Sequence, residues 1–193
     1  FGFAQHIIGQ PALEVARLVL EGKDDAQRGV GMAVITAATR ALDLPDEPDS
    51  ATPFGFQVRP ADRVGMIGYI PPVAEQLTKI GARVTIFDKG LTVSGGEGAA
   101  QVLDMSRQSE VLPQCDLMII TGTTLINGSI DKLLDLCQKA REIVLVGSST
   151  PMLVEAFKGT GVTALAGSWW DHALKDEMFK RLSLSCGISH LKK

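Results

Sequence analysis

Aromatic residues are scarce in this sequence: seven Phe, two Trp and one Tyr make up 5% of 193 residues. A surface that stacks bases would need more of them. An excess of positive charge is missing too, since 19 Lys and Arg face 22 Asp and Glu for a net charge of −3. No nucleic-acid partner is therefore expected. No apolar run is long enough for a membrane-spanning helix, so no membrane association is expected either. The three cysteines, Cys115, Cys137 and Cys186, form no CxxC pair and no zinc-ligand spacing. They read as reduced, mostly buried thiols of a cytoplasmic protein. The first residues, from Phe1, lack a basic segment followed by an apolar one, so no secretory signal is expected. The strings GxSxG, HExxH and GxxxxGK[ST] are absent, which excludes the commonest hydrolase, zinc-protease and P-loop signatures.

What is present is a chain that is 45% hydrophobic, with 20 glycines. A chain of this length buries roughly 70% of its unfolded surface, enough for a core without staples. Composition shifts once, at Leu44–Pro60 (LPDEPDSATPFGFQVRP), which is rich in Pro and acids and has no periodicity. It reads as an exposed connector. The expected division is a helical part over 1–44, a linker over 45–60 and a larger domain over 61–193. The first part suggests two helices. One starts near Pro11 and runs to Gly22; the other is the small, apolar stretch Val30–Leu42. So few residues make a poor independent domain, so they must dock on the remainder or on another chain, and Val30–Leu42 offers a homodimer surface.

The larger part alternates short apolar runs with helical segments. Arg63–Ile70, Arg83–Phe87, Asp116–Thr121, Glu142–Val146 and Val162–Ala166 read as five strands. PPVAEQLTKIG, a crossover within Gly95–Gln114, SIDKLLDLCQKA, MLVEAFKG and SWWDHALKDEMFKRL read as helices. Near-continuous apolar strands separated by helices signal a parallel sheet covered on both faces. The expected class is α/β, a doubly wound Rossmann-like sheet of order about 2-1-3-4-5. In such sheets ligands bind beyond the carboxyl ends of the strands, near the switch in strand order.

Four loops fall there. Gly68 and Tyr69 follow the first strand in GMIGYIPP, which lacks GxGxxG spacing and carries two prolines without amide donors. NAD in its usual mode is therefore not expected. The alternative is a plain strand-to-helix turn. Asp88 ends the second strand, where a carboxylate can hold a ribose or simply be solvated. Thr121, Gly122, Thr123, Thr124 and Asn127 lie in TGTTLINGS, whose hydroxyls and free amides suit an anionic group. Capping by Asn127 or Ser129 explains part of that loop without a ligand. Ser148 and Ser149 lie in GSSTP, where Thr150 as N-cap and Pro151 at N1 would be architecture and the two serines remain free. Asp171-His172 reads as a helix start rather than an acid–base pair, and Trp169 and Trp170 as packing residues.

VGMIGYIPP, TIFDKG, CDLMIITGTTLINGSIDKLLDL and VLVGSSTPM together resemble the putative heavy-metal-chelation proteins. RGVGMAVITAATRAL resembles the helix that closes their small domain. The resemblance implies a Rossmann-like domain preceded by a small domain like the N-terminal domain of enolase, with a cleft between them. It also implies a role in binding or processing a metal or a metal-chelating small molecule. Here the small domain is expected to be an abbreviated helical remnant, because its β-meander is missing ahead of the helices. Three readings follow. The first is a protein that binds a small anionic or chelating molecule, with the metal, if any, carried as a chelate or held by hard ligands such as Asp88. The second is a transferase using a nucleotide-like cosubstrate such as S-adenosylmethionine. The third is an interaction protein with a vestigial cleft.

Overall fold

The computed structural model describes residues 2–44, 55, 57–91, 100–167 and 170–184. Most of the expected 45–60 linker, Trp169, Cys186 and His190 lie outside them.

The larger part is an α/β sheet of parallel strands: β1 (Arg63–Ile67), β2 (Arg83–Phe87), β3 (Ala100–Val102), β4 (Leu117–Thr121), β5 (Glu142–Val146) and β6 (Ala164–Ala166). Their order is β3-β2-β1-β4-β5-β6. The sheet therefore has six strands where the sequence suggested five. The additional strand, β3, is three residues long and pairs only with β2. Three residues, AQV, carry too little alternation to register as a strand, and their pairing depends on the neighbour.

Apolar runs become strands here because both faces are covered. Val64, Met66, Val84, Ile86, Leu117, Ile119, Val144 and Val146 form one core with Ala74 and Leu77 of helix α5 (Pro71–Ile80). Ile67, Phe87, Met118, Ile120, Ile143 and Leu145 form the other, with Leu112 and with Ile130 and Leu133 of α8 (Ile130–Leu136). Side chains alternate between the faces residue by residue, as the pleat requires. Helix α5 starts with prolines in its first turn and ends at Gly81, left-handed at φ 97°, whose amide closes on Leu77 O and Thr78 O.

The other crossovers are less regular than the sequence implies. Between β3 and β4 the chain makes one turn of α6 (Gln108–Val111) between two short 3₁₀ turns. After β5, MLVEAFKG yields only a 3₁₀ turn over Val154–Phe157. Thr150 and Pro151 thus do not open a helix. Pro151 is instead buried. After β6 comes a 3₁₀ turn at His172–Leu174, capped by Asp171 Oδ1 accepting from Ala173 N at 2.9 Å, then α9 (Lys175–Ser183).

At the N-terminus are α1 (Ala4–Ile7), α2 (Ala12–Ala16), α3 (Leu18–Glu21) and α4 (Asp25–Thr39). The helix expected from Pro11 to Gly22 is thus broken at Arg17, and α4 begins five residues before the expected Val30. Asp24 caps it, accepting from Gln27 N at 2.8 Å, while Gln27 Oε1 reaches back to Lys23 N. Gly31 lets α4 sit on the α2–α3 bend, because a Cβ there would come within 2.5 Å of Val19 N.

A candidate ligand rim at the carboxyl ends of the strands

The site is built by four turns side by side along one edge of the sheet. β1 stops at Ile67 and the chain reverses through Gly68, at φ 84°. Only glycine takes that conformation cheaply, and a Cβ would also press within 2.9 Å of Thr121 Cγ2. Gly68 thus touches the end of β4. Tyr69 is exposed and donates its amide to Asp88 Oδ2 at 2.8 Å, while Asp88 Oδ1 accepts from Gly90 N at 2.7 Å. Asp88 therefore ties the β1 turn to the β2 turn with both oxygens, each of which keeps a further lone pair.

The β4 turn is tighter. Gly122 N donates to Val146 O at 2.9 Å, and Thr123–Ile126 form a single helical turn, α7. Thr121 Oγ1 accepts from Thr123 Oγ1 at 3.1 Å. Thr124 is 2% exposed and donates its hydroxyl to Thr121 O at 2.7 Å, which spends it on the main chain. Asn127 Oδ1 accepts from Ser129 N at 3.1 Å, so Asn127 serves the turn between α7 and α8. Of this loop, Thr123 is the exposed hydroxyl and Thr121 is half-buried behind it.

The β5 turn folds over Gly122. Thr150 N closes the turn on Gly147 O at 3.0 Å. A Cβ on Gly122 would lie 2.7 Å from Ser149 C and 2.7 Å from Thr150 Oγ1, so the two hydroxyl-bearing turns are in contact. Ser148 is exposed and Ser149 half-buried, and neither hydroxyl has a partner among the described residues. Thr150 is 2% exposed, and its hydroxyl is the one buried side-chain polar atom without a hydrogen bond among the described residues. Such a group costs about 1–3 kcal/mol unless something satisfies it.

Residues that the sequence reading missed come from the N-terminal helices. Arg28 Nε donates to Ile126 O at 2.9 Å, and its Nη2 pairs with Asp25 Oδ1 at 2.7 Å. Thr39, 5% exposed, accepts from Met152 N at 3.4 Å. Arg40 Nη1 donates to Trp170 O at 2.9 Å. Helix α4 thus reaches the rim at the end of α7, beyond the β5 turn and beyond β6. The Asp24–Gln27 cap was a readable signal for its start. Its docking had none, because these bonds join residues about a hundred positions apart.

Donor chemistry along the rim is hydroxyl, amide and one carboxylate. Among the described residues no three His, Cys, Asp or Glu gather into a metal-holding group. Cys115 and Cys137 are free and buried, and burial pushes their thiols up to about 11 and about 12 respectively. They stay protonated at neutral pH, and thiolate is the form that binds soft metals. The described donors therefore do not fit a bare heavy-metal ion.

Fold and rim together define a Rossmann-like α/β protein with a polar, hydroxyl-rich edge at the carboxyl ends of its strands. Residues 51–193 match the model of the DUF364 family, described as "Putative heavy-metal chelation", and the chain belongs to that family. It is 28% identical over 149 residues to an uncharacterized protein of Methanocaldococcus jannaschii, a match that spans 75% of this chain and 55% of the relative. Two crystal structures of DUF364 proteins of unknown function superpose on it with a TM-score of 0.74 each. The one from Pyrococcus horikoshii is 25% identical, covering 93% of this chain and 71% of that one. The one from Desulfitobacterium hafniense is 22% identical, covering 95% and 71%. None of these three descriptions assigns a reaction.

Proposed function

We propose that this chain binds a small anionic or metal-chelating molecule, in the cytoplasm, at the rim formed by Gly68, Tyr69, Asp88, Thr121, Gly122, Thr123, Ser148 and Ser149. One observation carries the reading: the TGTT and GSST turns meet at Gly122 and leave the Thr123, Ser148 and Ser149 hydroxyls at one edge. An oxyanion gains from hydroxyl and backbone amide donors gathered in such turns. Any metal travels inside the ligand, since the described donors do not fit the bare ion. Family membership supports the chelate side of this reading. The 1–44 segment acts as a separate small unit, an enolase-N-like remnant whose α4 forms one wall of the cleft. A homodimer would use the part of α4 that faces away from α7.

The transferase reading has less support. Asp88 stands where a ribose would be held, but both its oxygens already accept from backbone amides. A thermal-shift panel of citrate, nickel–citrate, iron–citrate and S-adenosylmethionine separates the two. A ligand at 100 times its Kd adds about 2.7 kcal/mol and raises the melting temperature visibly. A response to citrate or its chelates, lost in Ser149→Ala and Thr123→Val together, supports the binding reading. A response to S-adenosylmethionine alone overturns it.

A further inference from the structure

The amino ends of the strands carry a second feature, at the far edge of the sheet from the rim. A cavity of about 420 Å³ opens there, lined among others by Arg63, Arg83, Thr85, Gln101, Arg107 and Glu110. Arg63 and Arg83 are register partners on the adjacent strands β1 and β2, so their side chains leave the sheet from the same face. Like charges at such positions repel unless something lies between them. Thr85 follows two residues along β2 on that face, opposite Gln101 of β3. Arg107 enters from the 3₁₀ turn before α6.

The cations are unequally matched. Arg107 spends its fork on Glu110, at 3.0 and 2.7 Å. Arg63 donates to Gln114 Oε1 at 3.2 Å, and its Nε stands 3.8 Å from Asp116 Oδ2. Arg83 has no hydrogen bond or ion pair to its guanidinium among the described residues. Thr85 is 9% exposed, lines the cavity, and its hydroxyl is likewise without a partner. A free guanidinium, a second one beside it and a recessed hydroxyl make a planar fork plus a donor at its base. That is the geometry that recognises oxyanions.

We propose that this cavity binds a small multiply charged oxyanion, a phosphate or a polycarboxylate, held by Arg83 and Thr85 with Arg63 alongside. The site is separate from the rim and does not rest on the reading given for it. Calorimetry on the full chain with inorganic phosphate and with citrate tests it, phosphate and carboxylate being the two arms. Saturable binding of at least one probe is expected, weakened about tenfold or more in Arg83→Gln, as for loss of a charge-assisted hydrogen bond. Thr85→Val should weaken it less, and Arg83→Lys should recover only part, because the charge returns without the fork. Any phosphate or citrate that stays bound in Arg83→Gln and is lost in Thr123→Val belongs to the rim. Arg83 is exposed, so Arg83→Gln should keep its melting temperature, which certifies the comparison. Absence of binding by either probe at millimolar concentration overturns the proposal. So does phosphate affinity that is equal in wild type and Arg83→Gln.

Discussion

The two ends of the sheet solve the same problem with opposite chemistry. At the amino ends the strands are pinned by charge. Asp62 Oδ2 accepts from Arg141 Nη2 and Arg59 N, and Asp116 Oδ2 accepts from Arg63 N at 2.8 Å. At the carboxyl ends the turns carry glycine and hydroxyl and no ion pair among the described residues. Glycines at 68 and 122 bring the turns within contact of each other, and hydroxyls fill the narrow space left. The difference teaches which end is scaffold. Charge pairs fix positions but satisfy themselves; the hydroxyl-rich rim keeps Ser148 and Ser149 in reserve. At Arg83 the charged end leaves a guanidinium without a partner among the described residues.

Substitutions can break this contrast, starting with the rim's packing. Gly122→Val forces a side chain into Ser149 and Thr150 and should cost about 3 kcal/mol or more, as overpacking in a tight site does. A denaturant melt that shifts by less than 1 kcal/mol would show that the two turns are not tightly joined. At the other end, Asp62→Asn should cost about 2 kcal/mol by removing the charge-assisted bonds from Arg141. Burial works to raise the Asp62 pKa, but the hydrogen bonds from Arg141 and Arg59 outweigh it and hold the carboxyl below its usual value. A depressed carboxylate stabilises the fold above its unfolded pKa, about 4, and that stability is lost as pH falls further through the folded value. Stability measured from pH 5 down to pH 2 should therefore drop more in wild type than in Asp62→Asn.

Two smaller effects sharpen the functional side. Thr123→Val should weaken rim binding of citrate or its chelate by about 1–3 kcal/mol with little change in stability. Unchanged binding with a large stability loss would make Thr123 a core residue. Thr150→Val removes a buried hydroxyl that has no partner and should stabilise the free protein by about 1 kcal/mol. A destabilised Thr150→Val would mean that the hydroxyl is already satisfied in solution.

Much of this was legible in the chain. RVGMI, RVTIF, LMIIT and EIVLV are read as strands because a sheet covered on both faces leaves no polar side to alternate with. TGTT and GSST stood out because hydroxyls clustered just after such runs. Irregular pieces were not legible. β3 is too short to carry a pattern, and Thr150 followed by Pro looks like a helix start although the chain there packs inward instead. Propensity speaks for a local conformation, and burial against a distant neighbour overrides it.

The order of residues alone settled the layered α/β plan and the place where a ligand would be sought, because both follow from periodicity and from glycine, proline and hydroxyl positions within a few residues. Which hydroxyls stay free, which are spent on main chain, and how α4 reaches Ile126 and Met152 were decided only by the folded arrangement. Those contacts join segments far apart in the chain, and their geometry exists only once the two cores have closed around the sheet.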